Sequence, residues 1–470
     1  MNRIKTFNIS ISDSINKIGL ERIFVILGLI LGIFYAIVIP PGQGPDEHAH
    51  WLYARNAFGF NTEVDDIGAY LTDIGYNNYY FTAEISQDKD LFISNMDKHF
   101  SKEARELVRM PSPAGILKYL PAGSVMTVLT LLDVPIYWCL QISELGALLF
   151  FLVMGYQALK TIPVMKGMLF VILLMPMSLQ QCISVNYDAV LLPVCYLLTS
   201  YILRLIFSAG TVGWKNVFFI AFMCLVILLI KPPYILIALL FFAIDKDKVK
   251  LNIGSKFELY SFVCRYRILI AFFLVIIMSA GIYVMRENEY IKLFYFLIKD
   301  FGKTIKLFAA TFSDYGVFYL RSMVGNFGWM SMEMPPVYSI LTYALLFMAA
   351  ACDMAGFNKK SVRKVRIASA AISVLIVIVI MLALLPWSFF LIGHGLDSSV
   401  SLEDIRMYFN DITKIEGVQG RYFIPLLPVI ALTIRGWLKC LKQYFVIPQI
   451  IMFLGLCVWT CTALVYRFWY

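Results

Sequence analysis

Two carboxylates stand side by side in the run Pro40-Pro41-Gly42-Gln43-Gly44-Pro45-Asp46-Glu47-His48-Ala49-His50-Trp51. Adjacent acids with histidines close by can accept, hold and pass on a proton, the work of a general base. Three prolines and two glycines ahead of them end any helix and force an irregular turn. Residues Asp46 to Phe58 then read as a helix, with Asp46, His50 and Tyr53 on one face. Capping of that helix is the competing role for Asp46, since an acid at a helix start complements the dipole. The same cluster offers Asp46, Glu47, His48 and His50 to a divalent metal, although the run marks no complete ligand set.

Three further places hold charges where apolar runs begin or end. Gln180-Gln181-Cys182-Ile183-Ser184-Val185-Asn186-Tyr187-Asp188-Ala189 leaves Asp188 at the mouth of one run. An ionisable group at that depth is expensive and marks function by default, with helix capping as the alternative. Lys231-Pro232-Pro233-Tyr234 breaks a run from Val217 to Ile244 and strands a cation at its boundary, open to lipid headgroups or a lipid phosphate. Gln419-Gly420-Arg421-Tyr422-Phe423-Ile424-Pro425 sets an arginine at the lip of a third. An arginine fork grips phosphate in a geometry that lysine lacks, though lipid anchoring would also use it. Arg321, just before Gly325-Asn326-Phe327-Gly328-Trp329, is a further candidate of this kind.

The elements that must position these groups are apolar. Of 470 residues 60% are hydrophobic and 15% charged, against about 25% charged in soluble domains. Long apolar runs with that balance exclude a cytosolic enzyme, a nucleic-acid binder and a disordered scaffold. The chain reads as an all-α polytopic membrane protein with one transmembrane domain over 1–470. About eleven crossings are expected, within a range of ten to thirteen: 23–40, 138–159, 167–180, 188–207, 216–231, 234–244, 268–285, 336–352, 367–392, 422–434 and 444–466. The first is too long for a signal-peptide core and is read as retained, with the N-terminus in the cytoplasm. Nine cysteines without a CxxC pair suit core packing rather than disulfides or zinc.

Charge sets the orientation. The inner segments of this topology hold 22 Lys and Arg against 6 Asp and Glu; the rest holds 18 against 25. Asp46, Asp188, Lys231 and Arg421 then all fall at the outer surface, as do the four histidines. Segments 41–113 and 286–335 are outer loops long enough to fold, and 393–421 is a shorter one. Leu91 to Met110 has helical spacing of apolar residues and is expected to lie on the membrane surface. Residues 114–132 are apolar enough to cross, but a crossing there would reverse the sign of every later loop. They are therefore expected to form a re-entrant or interfacial helix, broken near Pro121 and Gly123.

Pro45-Asp46-Glu47-x-x-His50, Lys118-Tyr119-Leu120-Pro121, Asn186-Tyr187-Asp188-Ala189, Gly325-x-Phe327-Gly328-Trp329 and Gly420-Arg421-Tyr422-Phe423-x-Pro425 stand in the order found in bacterial membrane proteins of domain of unknown function 2142. The chain resembles that family over roughly residues 20 to 465. The family in turn is similar to the GT-C integral-membrane glycosyltransferases, in which an acid of the first outer loop acts at the catalytic centre. By that resemblance Asp46 takes the catalytic role with Glu47 beside it, and Asp188 matches the second acidic position. Lys118 and Tyr119 parallel a basic-aromatic pair. His50, Asn186, Lys231, Arg321, Gln419, Arg421 and Tyr422 complete the residues expected to bind substrate or lipid phosphate.

The implied activity is transfer of a sugar from a polyprenyl-phosphate donor to a cell-surface glycan acceptor, outside the bacterial cytoplasmic membrane. No resident cofactor is implied beyond a divalent metal at the Asp46–His50 cluster, and membrane lipids are the remaining partner. A flippase, transporter or polymerase of lipid-linked glycans is the alternative.

Overall fold

The computed structural model describes residues 17–44, 46–74, 93–253, 257–258, 288–353, 359–395, 400–438 and 442–470. The crossing expected at 268–285 lies outside them. Helix α1 (Leu20–Val38) is followed by α2 (Glu47–Ala57), α3 (Asp66–Asp73) and α4 (Pro113–Leu131). Next come α5 (Ile136–Thr161), α6 (Lys166–Leu174), α7 (Pro176–Ile183), α8 (Asp188–Phe207), α9 (Trp214–Ile230) and a 3-10 segment, Pro232–Ala243. Further on are α10 (Glu289–Lys299), α11 (Phe301–Gly325) and α12 (Pro336–Ala351), the last two separated by a hairpin pairing Asn326 with Glu333 and Phe327 with Met332. Helices α13 (Lys359–Ala383), α14 (Leu385–Leu391) and α15 (Leu402–Asp411), a 3-10 turn Gly420–Leu426, α16 (Leu427–Ile434) and α17 (Lys442–Trp469) complete the order.

The described residues are mostly helical, with two short antiparallel strand pairs, as suits a polytopic helical membrane protein. Among the described residues six helical stretches are long and apolar enough to cross a membrane. A seventh arises if α6 and α7, bent by 59° at Pro176, form one span. Shorter apolar helices occupy α9, Pro232–Ala243, α12 and Gly420–Ile434.

Small residues set the central contact. Gly28 and Gly32 of α1 meet Leu152 and Leu148 of α5, and Gly155 of α5 meets Phe24. A Cβ on Gly32 would come within 2.5 Å of a Leu148 methyl, so any larger residue there would force Leu148 to move and loosen this close approach. Ile26, Ile30 and Ile37 on the opposite face of α1 are exposed. Lys166 pairs with Glu21 at 2.6 Å, which joins the start of α1 to the start of α6 at one end of the bundle. At the other end Glu144 of α5 shares a cavity with Ile39 and Pro40.

Two local expectations need correcting. Helix α4 is continuous through Pro121 rather than broken there. Gly146 of α5 makes room for the Pro121 carbonyl, and the Phe58 ring packs onto Gly123, so the proline is absorbed within a regular helix. Of the expected helix Leu91 to Met110, residues 91–92 lie outside the described residues, and 93–110 form one brief helical turn followed by turns and a bridge from Leu107 to Phe60, not a continuous amphipathic helix. Arg55 is the reason: its guanidinium donates to the Ala104 carbonyl at 2.6 Å and lies over the rings of Phe60 and Phe100. Those contacts bury Phe100 and Ala104 as an irregular strap. The long segment 286–335 folds largely as α10 and α11.

Candidate functional site

The Pro40–Gly44 turn ends α1 and returns the chain so that α2 starts beside the beginning of α8. Glu47 locks this arrangement. Its Oε2 accepts from the N–H groups of Gly42 (3.1 Å) and Gly44 (3.0 Å), and Oε1 accepts from Val185 N–H (3.1 Å). The residue is 3% exposed. Burial holds its pKa above the ordinary carboxylate value, with the three N–H groups acting in the opposite direction. Sequence reasoning places Glu47 at the catalytic centre; the structure turns it inward, as a tie between the first turn and the segment that carries Asp188.

Asp46 faces the other way. Its backbone is left-handed (φ 61), uncommon without glycine, and its side chain makes no cap to α2. Instead Oδ2 accepts from Arg421 Nη2 at 2.6 Å. Arg421 is buried, its side chain 6% exposed, while that of Asp46 is 44% exposed and so remains reachable.

Asp188 forms the second pair. Asn186 does the capping at α8, accepting from Ala189 N–H at 3.0 Å, and this frees the Asp188 carboxylate. Lys231 Nζ lies 3.0 Å from Asp188 Oδ1, at the break between α9 and the 3-10 segment. That ammonium also sits over two rings, 4.7 Å from the Tyr187 centroid and 4.5 Å from the Tyr422 centroid. The Arg421 guanidinium lies 5.4 Å from the same Tyr422 ring, which therefore joins the two pairs. Tyr234 steadies Tyr422 by donating to its carbonyl at 2.6 Å. Gly420 presses against α11: a Cβ there would collide with the Tyr319 carbonyl, while its N–H donates to Ser322 Oγ.

His50 closes the cluster. Its ring meets Tyr187 edge-on at 4.6 Å, and Nδ1 shares a 2.7 Å hydrogen bond with the Tyr119 hydroxyl. The site thus carries two carboxylate–cation pairs, three aromatic rings and an imidazole at one end of the bundle. It can grip an anionic group while presenting a carboxylate to a second molecule.

A model of the DUF2142 family, described as predicted membrane proteins, matches residues 29–430, a stretch that includes every residue of this cluster. The chain belongs to the DUF2142 family. No curated protein and no solved structure matches it.

Not every expected residue of this DUF2142 chain reaches the cluster. Arg321 pairs with Glu333 at 2.8 Å and braces the hairpin. Gln419 has a buried Oε1 without a hydrogen-bond partner among the described residues, and Lys118 is half-buried on α4 next to Tyr119. The candidate metal cluster is dispersed: Asp46 goes to Arg421, Glu47 to backbone, His48 to Asp65 at 3.1 Å and His50 to Tyr119. Among the described residues no three His, Cys, Asp or Glu side chains group to hold a metal.

Three contributors escape the sequence reading. Tyr187 and Tyr234 stand inside the quoted motifs yet serve through their rings and hydroxyl rather than charge. Glu144 is 5% exposed and lines a cavity, with room for about one water (20 Å³), that it shares with Glu47, Gln180 and Ser184. A lone acid inside an apolar run is its one available signal.

His50 is expected to make this DUF2142 protein acid-sensitive. Burial lowers its pKa to about 4, against about 6.5 when unfolded. Between those values the unfolded chain binds a proton that the folded chain refuses. Stability is therefore full above pH 6.5 and declines as pH falls toward 4. The expected loss through this residue is about 3 kcal/mol. It should be read as a falling Tm in acid that His50→Asn largely removes.

Proposed function

We propose that the protein is a GT-C-type glycosyltransferase, crossing the bacterial cytoplasmic membrane about eleven times with its site on the extracytoplasmic face. It moves a sugar from a polyprenyl-phosphate donor to a cell-surface glycan acceptor. The observation that carries this reading is the convergence of Asp46–Arg421 and Asp188–Lys231 on Tyr422. Sugar transfer from a lipid phosphate needs cations where charge develops on the leaving phosphate, and one reachable carboxylate for the acceptor. The Lys and Arg excess of the opposite loops supports the orientation.

In the resting site each cation is held by a carboxylate. A donor phosphate competes for the Arg421 fork and thereby releases Asp46, while Lys231 adds a second positive charge. Asp46 then takes the proton of the acceptor hydroxyl. The acceptor oxygen attacks the anomeric carbon opposite the phosphate; the C–O bond to phosphate breaks and its electron pair leaves on the phosphate. The anomeric carbon inverts. Glu47 keeps Asp46 and the Asp188 segment in register, a positioning role, since small misplacements cost large factors in rate.

Mass spectrometry of the surface glycan from a deletion strain tests the reading. One missing branch sugar is expected. Shortened chains would make the protein a polymerase, accumulated lipid-linked intermediate a flippase, and an unaltered glycan would overturn the proposal.

A further inference from the structure

We propose that α4, although long and apolar enough to cross a membrane, stays within one leaflet and rests its free face on lipid at the end of the bundle where the site lies. This placement holds whatever reaction the site performs.

Helices α1 and α5 run antiparallel and fix the two ends of the bundle. The Phe24–Gly155, Gly28–Leu152 and Gly32–Leu148 contacts bring the far end of α1 level with Glu144, which shares a cavity with Ile39 and Pro40. Ile136 begins α5 eight residues earlier, about 12 Å beyond that level. The C-terminus of α4 is tied down there. Asp133 pairs with Arg105 at 2.9 Å and with His99 at 3.0 Å, and Ile136 N–H donates to the Lys98 carbonyl at 2.8 Å.

The N-terminus of α4 lies on the same side. Ser112 N–H donates to the Ala57 carbonyl at 2.8 Å, and Ala57 ends α2, which starts just after α1 stops. Between the two ends Tyr119 meets His50, and Thr130 Oγ1 accepts from Arg55 at 3.2 Å. The partners that hold α4 and its C-terminal turn in these contacts, namely His50, Arg55, Ala57, Lys98, His99 and Arg105, all belong to the stretch between α1 and α4. A helix of 19 residues is about 28 Å long, so one with both ends on the same side cannot pass through the bilayer.

The other face says what covers it. Leu120, Val128, Leu131 and Leu132 are between 46% and 68% exposed, and they continue into the exposed aliphatic face of α5 at Ile142, Leu145 and Leu149. An apolar belt shared with a crossing helix fits acyl chains rather than water or a protein partner. The charge pattern agrees independently, because a crossing at α4 would move the lysine- and arginine-rich loops to the opposite side.

Single cysteines at Met110, Leu132 and Gly167, in full-length protein lacking reactive native cysteines, test this with a membrane-impermeant maleimide on spheroplasts. Met110→Cys and Leu132→Cys should label from one side and Gly167→Cys from the other. Leu132→Cys labelling with Gly167→Cys, on the side opposite Met110→Cys, overturns the proposal. If Leu132→Cys is shielded by lipid, nitroxides at Leu120 and Val128 decide. They should both report depths in the leaflet on the Met110 side, whereas a Leu120 depth in the opposite leaflet, on the Gly167 side, overturns it.

Discussion

Asp46→Asn is expected to lower sugar transfer by about 10³-fold, within the range that general-base groups contribute, while leaving protein abundance in the membrane unchanged. The asparagine is nearly the same size and can still accept from Arg421 Nη2, so the fold around the 2.6 Å contact should persist. What it loses is basicity. Transfer measured in membrane vesicles with the native donor gives the rate, and a quantitative immunoblot gives the abundance. Undiminished transfer would remove Asp46 from the chemistry and leave its pairing with Arg421 as structure alone.

The second large effect belongs to Arg421. Arg421→Gln removes the charge proposed to face the leaving phosphate and takes away the partner of Asp46. Transfer should fall by at least about 10²-fold, the scale of losing one preorganised charge at a developing anion. Arg421→Lys should recover only a fraction, since an ammonium lacks the two-pronged fork and Tyr422 loses a stacking guanidinium. Full recovery by lysine would mean that charge alone suffices at this position. Both variants should keep their Tm within a few degrees if Gly420 still fixes the turn through Ser322.

The four charged members of the site are legible in the sequence for one physical reason. Each stands at the end of an apolar run, where an unpaired charge is too expensive to be incidental. Which carboxylate meets which cation is not legible, because Asp46 and Arg421 lie 375 residues apart and only the packing of α1, α8 and α11 brings them together. Glu47 and Asp46 are adjacent acids with nothing in the sequence to separate their roles. The three N–H groups that claim Glu47 come from a turn and from Val185, and no spacing rule announces them. The strap at 93–110 has helical periodicity, but one buried arginine with two rings outweighs the weak local preference. Glu144 is hidden in the sequence because an isolated acid inside an otherwise apolar helix carries no motif.

One titration bears most directly on the site itself. Purified protein in lipid nanodiscs would be titrated with undecaprenyl phosphate and the bound lipid counted by native mass spectrometry, for the native chain and for Arg421→Gln/Lys231→Gln. One lipid phosphate per native chain, with affinity lowered at least about 100-fold in the double variant, is the expected result. Equal binding by both proteins, or none by the native chain, contradicts a phosphate site between these two cations.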